Sequence, residues 1–273
     1  MKKIFITLIT ILTYCGIQAQ TYDQWIDKSF ELIEQDSLSA AAETLKQAMR
    51  TEPANPRNFL LWSNLGTIQR RLNQKEDALQ SYTAALSINP FSTTVLHNRA
   101  TLYTEVDNID KAIADYNLIL LRDSLDPEAR YCRGLLYIEK KDYLSAEQDF
   151  EHMLAANEKS VRGRMGYATL EKMRGNYVDS ERIYNYLLSE LPKESALYLG
   201  RAELFYKMKK NGRAMSDINK IFNEGEPDAY TYVLRGKIKL AQFEKKAAAK
   251  DFQTALEMGY NPKRINELME LCK

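Results

Sequence analysis

The sequence predicts an all-α protein: seven helical hairpins in series, closed by a short capping helix. Three observations predict it. Apolar residues recur at helical rather than strand spacing along nearly the whole chain. The stretch from Phe59 to Phe91 reads as two helices folded back around a polar turn. That stretch then returns every 34 residues, which is the mark of a repeat array.

The N-terminus stands apart. Lys2 and Lys3 precede an apolar run, Ile4 to Leu12, and the stretch ends at Gly16-Ile17-Gln18-Ala19 ahead of Gln20-Thr21. A basic n-region, an apolar h-region and a small-residue cleavage site read as a secretory signal peptide, residues 1–19, cut after Ala19. The run is too short to span a bilayer. A rival reading makes Cys15 a lipid-modified N-terminus, but Tyr14 is large where lipoprotein signals want a small residue. The expected location is therefore exported, periplasmic or secreted.

Removing Lys2 and Lys3 from the 38 basic residues leaves 36 against 37 acidic ones. So even a balance argues against nucleic acid as a partner, because counterion release needs a basic surface. The charge is unevenly placed, however. Residues 20–160 carry 15 basic and 22 acidic side chains, and residues 161–273 carry 21 and 15. Only Cys132 and Cys272 follow the expected cleavage site. About four repeats would separate them, well beyond the roughly 7 Å Cα limit of a disulfide.

The opening hairpin sets the pattern for the elements in order. Leu61, Trp62, Leu65 and Ile68 line one face of its first helix, and Ala78, Leu79, Tyr82, Ala85 and Leu86 one face of its second. The polar segment Leu72 to Asp77 is short, so the helices run antiparallel. From Phe59 to Pro262 there are 204 residues, six periods of 34 without insertion or deletion. A small residue recurs in the first helices (Gly66, Ala100, Gly134, Ala168, Ala202, Gly236) and another twelve residues on (Ala78, Ala112, Ala146, Ser180, Ala214, Ala248). A bulky one follows four later, as Tyr82, Tyr116, Phe150, Tyr184, Ile218 and Phe252. Small residues let the helices approach, and the bulky one fills the groove against the next unit. An earlier unit spans Tyr22 to Asn55, separated by Pro56-Arg57-Asn58. The array therefore covers 20–262, with units starting at 22, 59, 93, 127, 161, 195 and 229. Residues 263–273, with Ile265, Leu268, Met269 and Leu271, form the expected capping helix.

A 34-residue helix-turn-helix with Trp62-Ser63-Asn64-Leu65-Gly66, Ala78, Tyr82, Ala85 and Pro90 resembles the tetratricopeptide repeat. Gln69 departs from that pattern, which prefers Tyr; Tyr103 and Tyr137 restore it. The resemblance implies a right-handed superhelical solenoid whose first helices line a concave, protein-binding groove. Pentatricopeptide arrays have a period of 35 and bind RNA, which the strict phase and balanced charge count against.

Comparing the units exposes a covariation. The slot before the small residue is Arg99, Arg133, Arg201 and Arg235, and sixteen residues later come Asp115, Asp149, Asp217 and Asp251. Where the first slot holds Lys28, Leu65 or Tyr167, the second holds Thr44, Ser81 or Ile183. The covariation predicts a ladder of ion pairs between the two helices of a unit. The fifth unit lacks this pair and begins with Gly163 and Gly166, which predicts a soft joint, since each glycine costs about 1 kcal/mol against Ala in a helix.

Catalytic chemistry finds no constellation. His97 and His152 sit in separate repeats with no Cys or carboxylate at metal-ligand spacing. The glycines follow the repeat rather than a phosphate loop. No cofactor, metal or small-molecule substrate is expected, and no enzymatic activity. What the resemblance implies instead is a groove for a peptide or helix of another protein. Its expected lining is Asp23, Phe30, Leu60, Thr67, His97 and Thr101 in the early repeats. Glu128, Tyr131, Arg162, Lys172, Tyr206, Tyr230 and Lys237 continue it in the later ones. Such a face would suit a ligand whose acidic part meets Arg162, Lys172 and Lys237. The carboxylate clamp of tetratricopeptide co-chaperones would need other residues at Ser63, Thr67, Glu128 and Cys132; only Asn98 fits. A non-enzymatic envelope scaffold is the resulting expectation. The alternative is an assembly factor for outer-membrane or secretion machinery, which a lipid anchor at Cys15 would favour.

Overall fold

A computed structural model describes residues 20–273, so the expected signal peptide and Cys15 lie outside the described residues. Within them all regular structure is helical. The first compact unit, ending at Asp107, contains α1 (Tyr22–Glu34), α2 (Leu38–Thr51), α3 (Asn58–Arg71), α4 (Lys75–Ile88) and α5 (Thr93–Glu105). The second begins at Asn108 with α6 (Ile109–Arg122), α7 (Pro127–Glu139), α8 (Tyr143–Ala156), α9 (Val161–Arg174) and α10 (Tyr177–Glu190). It continues through α11 (Ser195–Lys207), α12 (Asn211–Glu224), α13 (Ala229–Ala241), α14 (Lys245–Glu257) and α15 (Pro262–Glu270).

Local chemistry starts and stops these helices at the repeat period. Several first helices take side-chain N-caps: Asp126 accepts from the Ala129 amide, Ser160 from Gly163 and Asp228 from Thr231. Thr21 and Gln24 form a capping box on α1. The turn between the helices of a hairpin is a recurring C-cap. The Asp142 amide donates to Tyr137 C=O and the Lys141 amide to Ile138 C=O, and the same pair of bonds recurs at Ser37 and Asp36. This Schellman geometry needs a left-handed residue. The slot is filled by Asp36, Asn73, Asp107, Lys141, Gly175, Lys209 and Phe243, all with positive φ.

The core is built on ring-to-glycine contacts. The ring of Phe150, itself fully buried, meets Gly134 of its own hairpin and Gly166 of the next, so a side chain at either glycine would run into it. Tyr82 lies in the same way on Gly66, Tyr184 on Gly200 and Phe252 on Gly236. In the first unit Trp62 packs, partly buried, against the cluster of Leu45, Leu61 and Leu65.

Three of the expected ion pairs lie within the second unit, and all three form. Arg133 donates to both carboxylate oxygens of Asp149 at 2.9 and 2.5 Å, Arg201 to Asp217 at 2.8 and 2.7 Å, and Arg235 to Asp251 at 2.9 and 2.6 Å. The remaining pair, Arg99 and Asp115, divides between the two units. Two of these arginines do more than pair. Arg133 also donates to Asn117 and Arg201 to Asn185, sixteen residues back in the preceding hairpin. A row of structural arginines thus ties successive hairpins together.

Where the pair is missing, other bonds take its place. Gln69, the departure from the repeat pattern, accepts from the Ser81 hydroxyl at 2.6 Å while buried. In the fifth hairpin Tyr167 donates to Glu147, which also receives two bonds from Arg174. Arg174 reaches Glu171 as well, and Asn176 donates to Glu171. The end of the array differs slightly from expectation. Ile265 is fully buried on α15, with Leu268 and Met269 packed beside it, but Leu271 lies beyond the helix and is exposed. Cys272 fills the contact expected of Leu271.

Candidate functional site

The first helices present the residues singled out above. In the first unit, α1 and α3 hold Phe30 and Leu60 half-exposed, and Arg57 pairs with Asp23 at 3.4 Å. Thr67 lies within hydrogen-bonding distance of the Tyr82 hydroxyl at 3.1 Å, and Thr101 donates to His97 C=O at 2.8 Å. This part of the face is apolar at Phe30 and Leu60 and hydroxyl-rich beside them.

In the second unit the electrostatics differ from the simple expectation of three free cations. Arg162 on α9 pairs with Glu128 on α7, and its guanidinium lies 5.7 Å from the Tyr131 ring centroid. Lys172 is only 5% exposed, and its ammonium donates to Glu203 on α11 at 2.5 Å. Burial alone would lower the Lys172 pKa, but the Glu203 carboxylate holds it above the usual lysine value. A buried ammonium with its own acid is committed to the fold, so Lys172 does not stand free for a ligand, whereas Arg162, its side chain 54% exposed, holds only a surface pair with Glu128.

Glu203 is the residue that sequence reasoning missed, and it organises the later half of the face. Burial pushes the Tyr230 phenol up, and the neighbouring Glu203 carboxylate pushes it further. The Tyr230 ring stacks on Tyr260, with centroids 6.3 Å apart and planes at 26°. Lys237, on α13, is half-buried; burial lowers its pKa, the Glu203 charge opposes that, and Arg264 on α15 adds to it. Lys237 makes no ion pair among the described residues. The signal for Glu203 was in the repeat all along. Thr67, Thr101, Thr169, Glu203 and Lys237 occupy one slot at successive or alternate periods. Tyr206, at the Lys172 slot one repeat on, is partly exposed next to Phe205. The second-unit face thus carries Tyr131, Tyr206 and Tyr230 around a carboxylate flanked by one lysine in an ion pair and one, partly exposed, without.

A crystal structure of a tetratricopeptide repeat protein from Parabacteroides merdae ATCC 43184 matches with a TM-score of 0.83 and 56% identity, over 92% of this chain and 98% of that one. The chain belongs to the tetratricopeptide repeat family. A tetratricopeptide repeat family model also matches residues 31–93. More distant tetratricopeptide-like folds include PilW, a widely conserved type IV pilus biogenesis factor, 17% identical with a TM-score of 0.58 over 73% of this chain and 91% of that one. The Cut9–Hcn1 hetero-tetramer of APC/C is 12% identical with a TM-score of 0.58, over 92% of this chain and 55% of that one. These two share the fold. Among curated proteins, none matches the sequence.

In this tetratricopeptide array the recurring glycines and aromatic rings pack on one another. Among the described residues, no group of three or more His, Cys, Asp or Glu can hold a metal ion. No described helix is long and apolar enough to cross a membrane.

Proposed function

We propose that this tetratricopeptide repeat protein is a non-enzymatic scaffold that binds a peptide or helix of another protein on its first-helix face. The carrying observation is the second-unit cluster in which Lys237, half-buried and without an ion pair, lies beside Glu203, Arg264 and the tyrosines. Burial and Arg264 disfavour the Lys237 charge and Glu203 offsets them only in part, so an acidic group of a ligand would be bound with gain. Partly exposed aromatics beside it supply apolar contact at low entropic cost. The buried Lys172, paired with Glu203, serves to hold the face in shape rather than to meet the ligand.

The leader read in residues 1–19 supports an envelope location, periplasmic or secreted. The reading as an assembly factor for outer-membrane or secretion machinery would gain from a lipid at Cys15, which the mass of the mature N-terminus would reveal. The binding proposal is tested by placing a photo-crosslinking residue at Tyr206 and treating envelope extracts. One specific adduct is expected, and Lys237→Glu should abolish it while Lys172→Met, if folded, alters it only through the fold. An adduct indifferent to Lys237→Glu would sink the assignment of this face.

A further inference from the structure

The hairpin turns carry a second surface, distinct from the first-helix face. Because the repeat is strict, the left-handed turn slots of the later hairpins, Lys141, Gly175, Lys209 and Phe243, recur along one edge of the second unit. Six of the seven turns put Asp, Asn, Lys or Gly there. Phe243 is the exception. Its φ is 66°, a region that bulky L side chains adopt only under strain. The residue is 91% exposed and joins none of the core clusters among the described residues. The residue therefore strains the backbone and wets an aromatic ring while contributing nothing to the core, which points from an outlier toward a function.

Charge surrounds the ring. On the Phe243 turn, Lys245 and Lys246 are exposed, with Glu244 the one acid between. On the preceding turn, residues 207–213 hold Lys207, Lys209, Lys210 and Arg213 and no acid. Glu181 engages Arg213 at 2.7 Å and Lys210 at 3.9 Å. The ammonium groups of Lys209, Lys245 and Lys246 form no hydrogen bond or ion pair among the described residues. Apolar side chains continue along the edge at one slot of the second helices: Val178 is 79% exposed and Leu144 66%.

We propose that this turn edge docks on an anionic phospholipid surface, with Phe243 entering the headgroup boundary and Lys209, Lys245 and Lys246 facing lipid phosphates. The chemistry favours lipid over a protein partner. The aromatic ring protrudes from a turn instead of lining a groove, and the free cations are flexible lysines rather than arginines fixed in forks. A bilayer interface accepts a protruding aromatic and scattered ammonium groups without shape complementarity. Each lysine near an anionic leaflet contributes about a fivefold gain in partitioning.

Residues 20–273 suit the test, since the crystallised Parabacteroides relative spans nearly the same extent. Co-sedimentation would use phosphatidylethanolamine vesicles with and without phosphatidylglycerol. Binding to the phosphatidylglycerol vesicles, weakened by salt, is expected. Phe243→Gly relieves the strained turn and keeps the fold, yet should lower partitioning severalfold. Lys209→Glu with Lys245→Glu and Lys246→Glu should lower it by roughly a hundredfold or more. Failure to bind, equal binding to vesicles without phosphatidylglycerol, or binding that ignores these substitutions would overturn the proposal. So would a crosslink from residue 243 that yields only an acidic protein.

Discussion

Arg133 shows how a single repeated residue joins three parts of the fold. Its guanidinium spans Asp149 of its own hairpin and Asn117 of the one before, and rests 5.7 Å from the Tyr137 ring centroid. Burial opposes its charge, but the hydrogen bonds and field of Asp149 hold its pKa above the ordinary arginine value. The Asp149 side chain is 2% exposed, so removing the arginine leaves a nearly buried carboxylate with only Arg130 to neutralise it. We expect Arg133→Met to cost about 2–4 kcal/mol, well above the roughly 0–1 kcal/mol of a surface pair. A double-mutant cycle with Asp149→Asn, read by urea unfolding, should show coupling of at least ~1 kcal/mol; additive losses would mean the pair is ornamental. The pairing itself was legible from covariation between repeats. The bridge to Asn117 was not, because Arg99, Arg133 and Arg201 look back on Thr83, Asn117 and Asn185, and a mixed slot carries little pattern.

Among the elements, α9 is where sequence and structure weigh the same residues differently. Read by helix propensity, Gly163 and Gly166 weaken it, and replacing Gly166 with Ala should gain about 1 kcal/mol. Packing reverses the sign. A methyl at Gly166 would run into the buried Phe150 ring, and Gly163 lies 3.2 Å from Leu154 by the same measure. Gly166→Ala should therefore destabilise by about 1–3 kcal/mol, as overpacking does. A thermal or chemical denaturation series would decide, and a stabilised variant would restore the propensity argument. The missing Arg–Asp pair in this hairpin is likewise answered by Tyr167, Glu147 and Arg174. The hydrogen bond of Arg174 lowers the Glu147 pKa, so this contact holds above the ordinary carboxylate range and weakens in acid.

At the scale of the whole molecule, partly buried tyrosines limit stability on the alkaline side. Burial pushes Tyr131 and Tyr167 from 10.0 to about 12. A raised folded pKa means the folded state holds its proton more tightly, so this stability is complete below pH 10 and lost as pH rises toward 12. Lys172, raised by Glu203, acts in the same direction. Unfolding free energies should hold steady up to about pH 10 and fall steeply above it, less steeply for Tyr131→Phe. A flat profile, or an unchanged slope in that variant, would contradict the assignment. The acidic early and basic late halves of the sequence suggested a graded binding face, but Asp23, Arg162 and Lys172 each have an internal counter-charge. By itself the sequence determined the helical hairpins, their period, the capping segment and the Arg–Asp pairs, because a repeat samples one local environment many times and so displays its rules. Only the tertiary structure decided which charges remain unspent. Lys172 and Lys237 look alike along the chain, and whether Glu203 reaches one of them depends on how neighbouring hairpins stack.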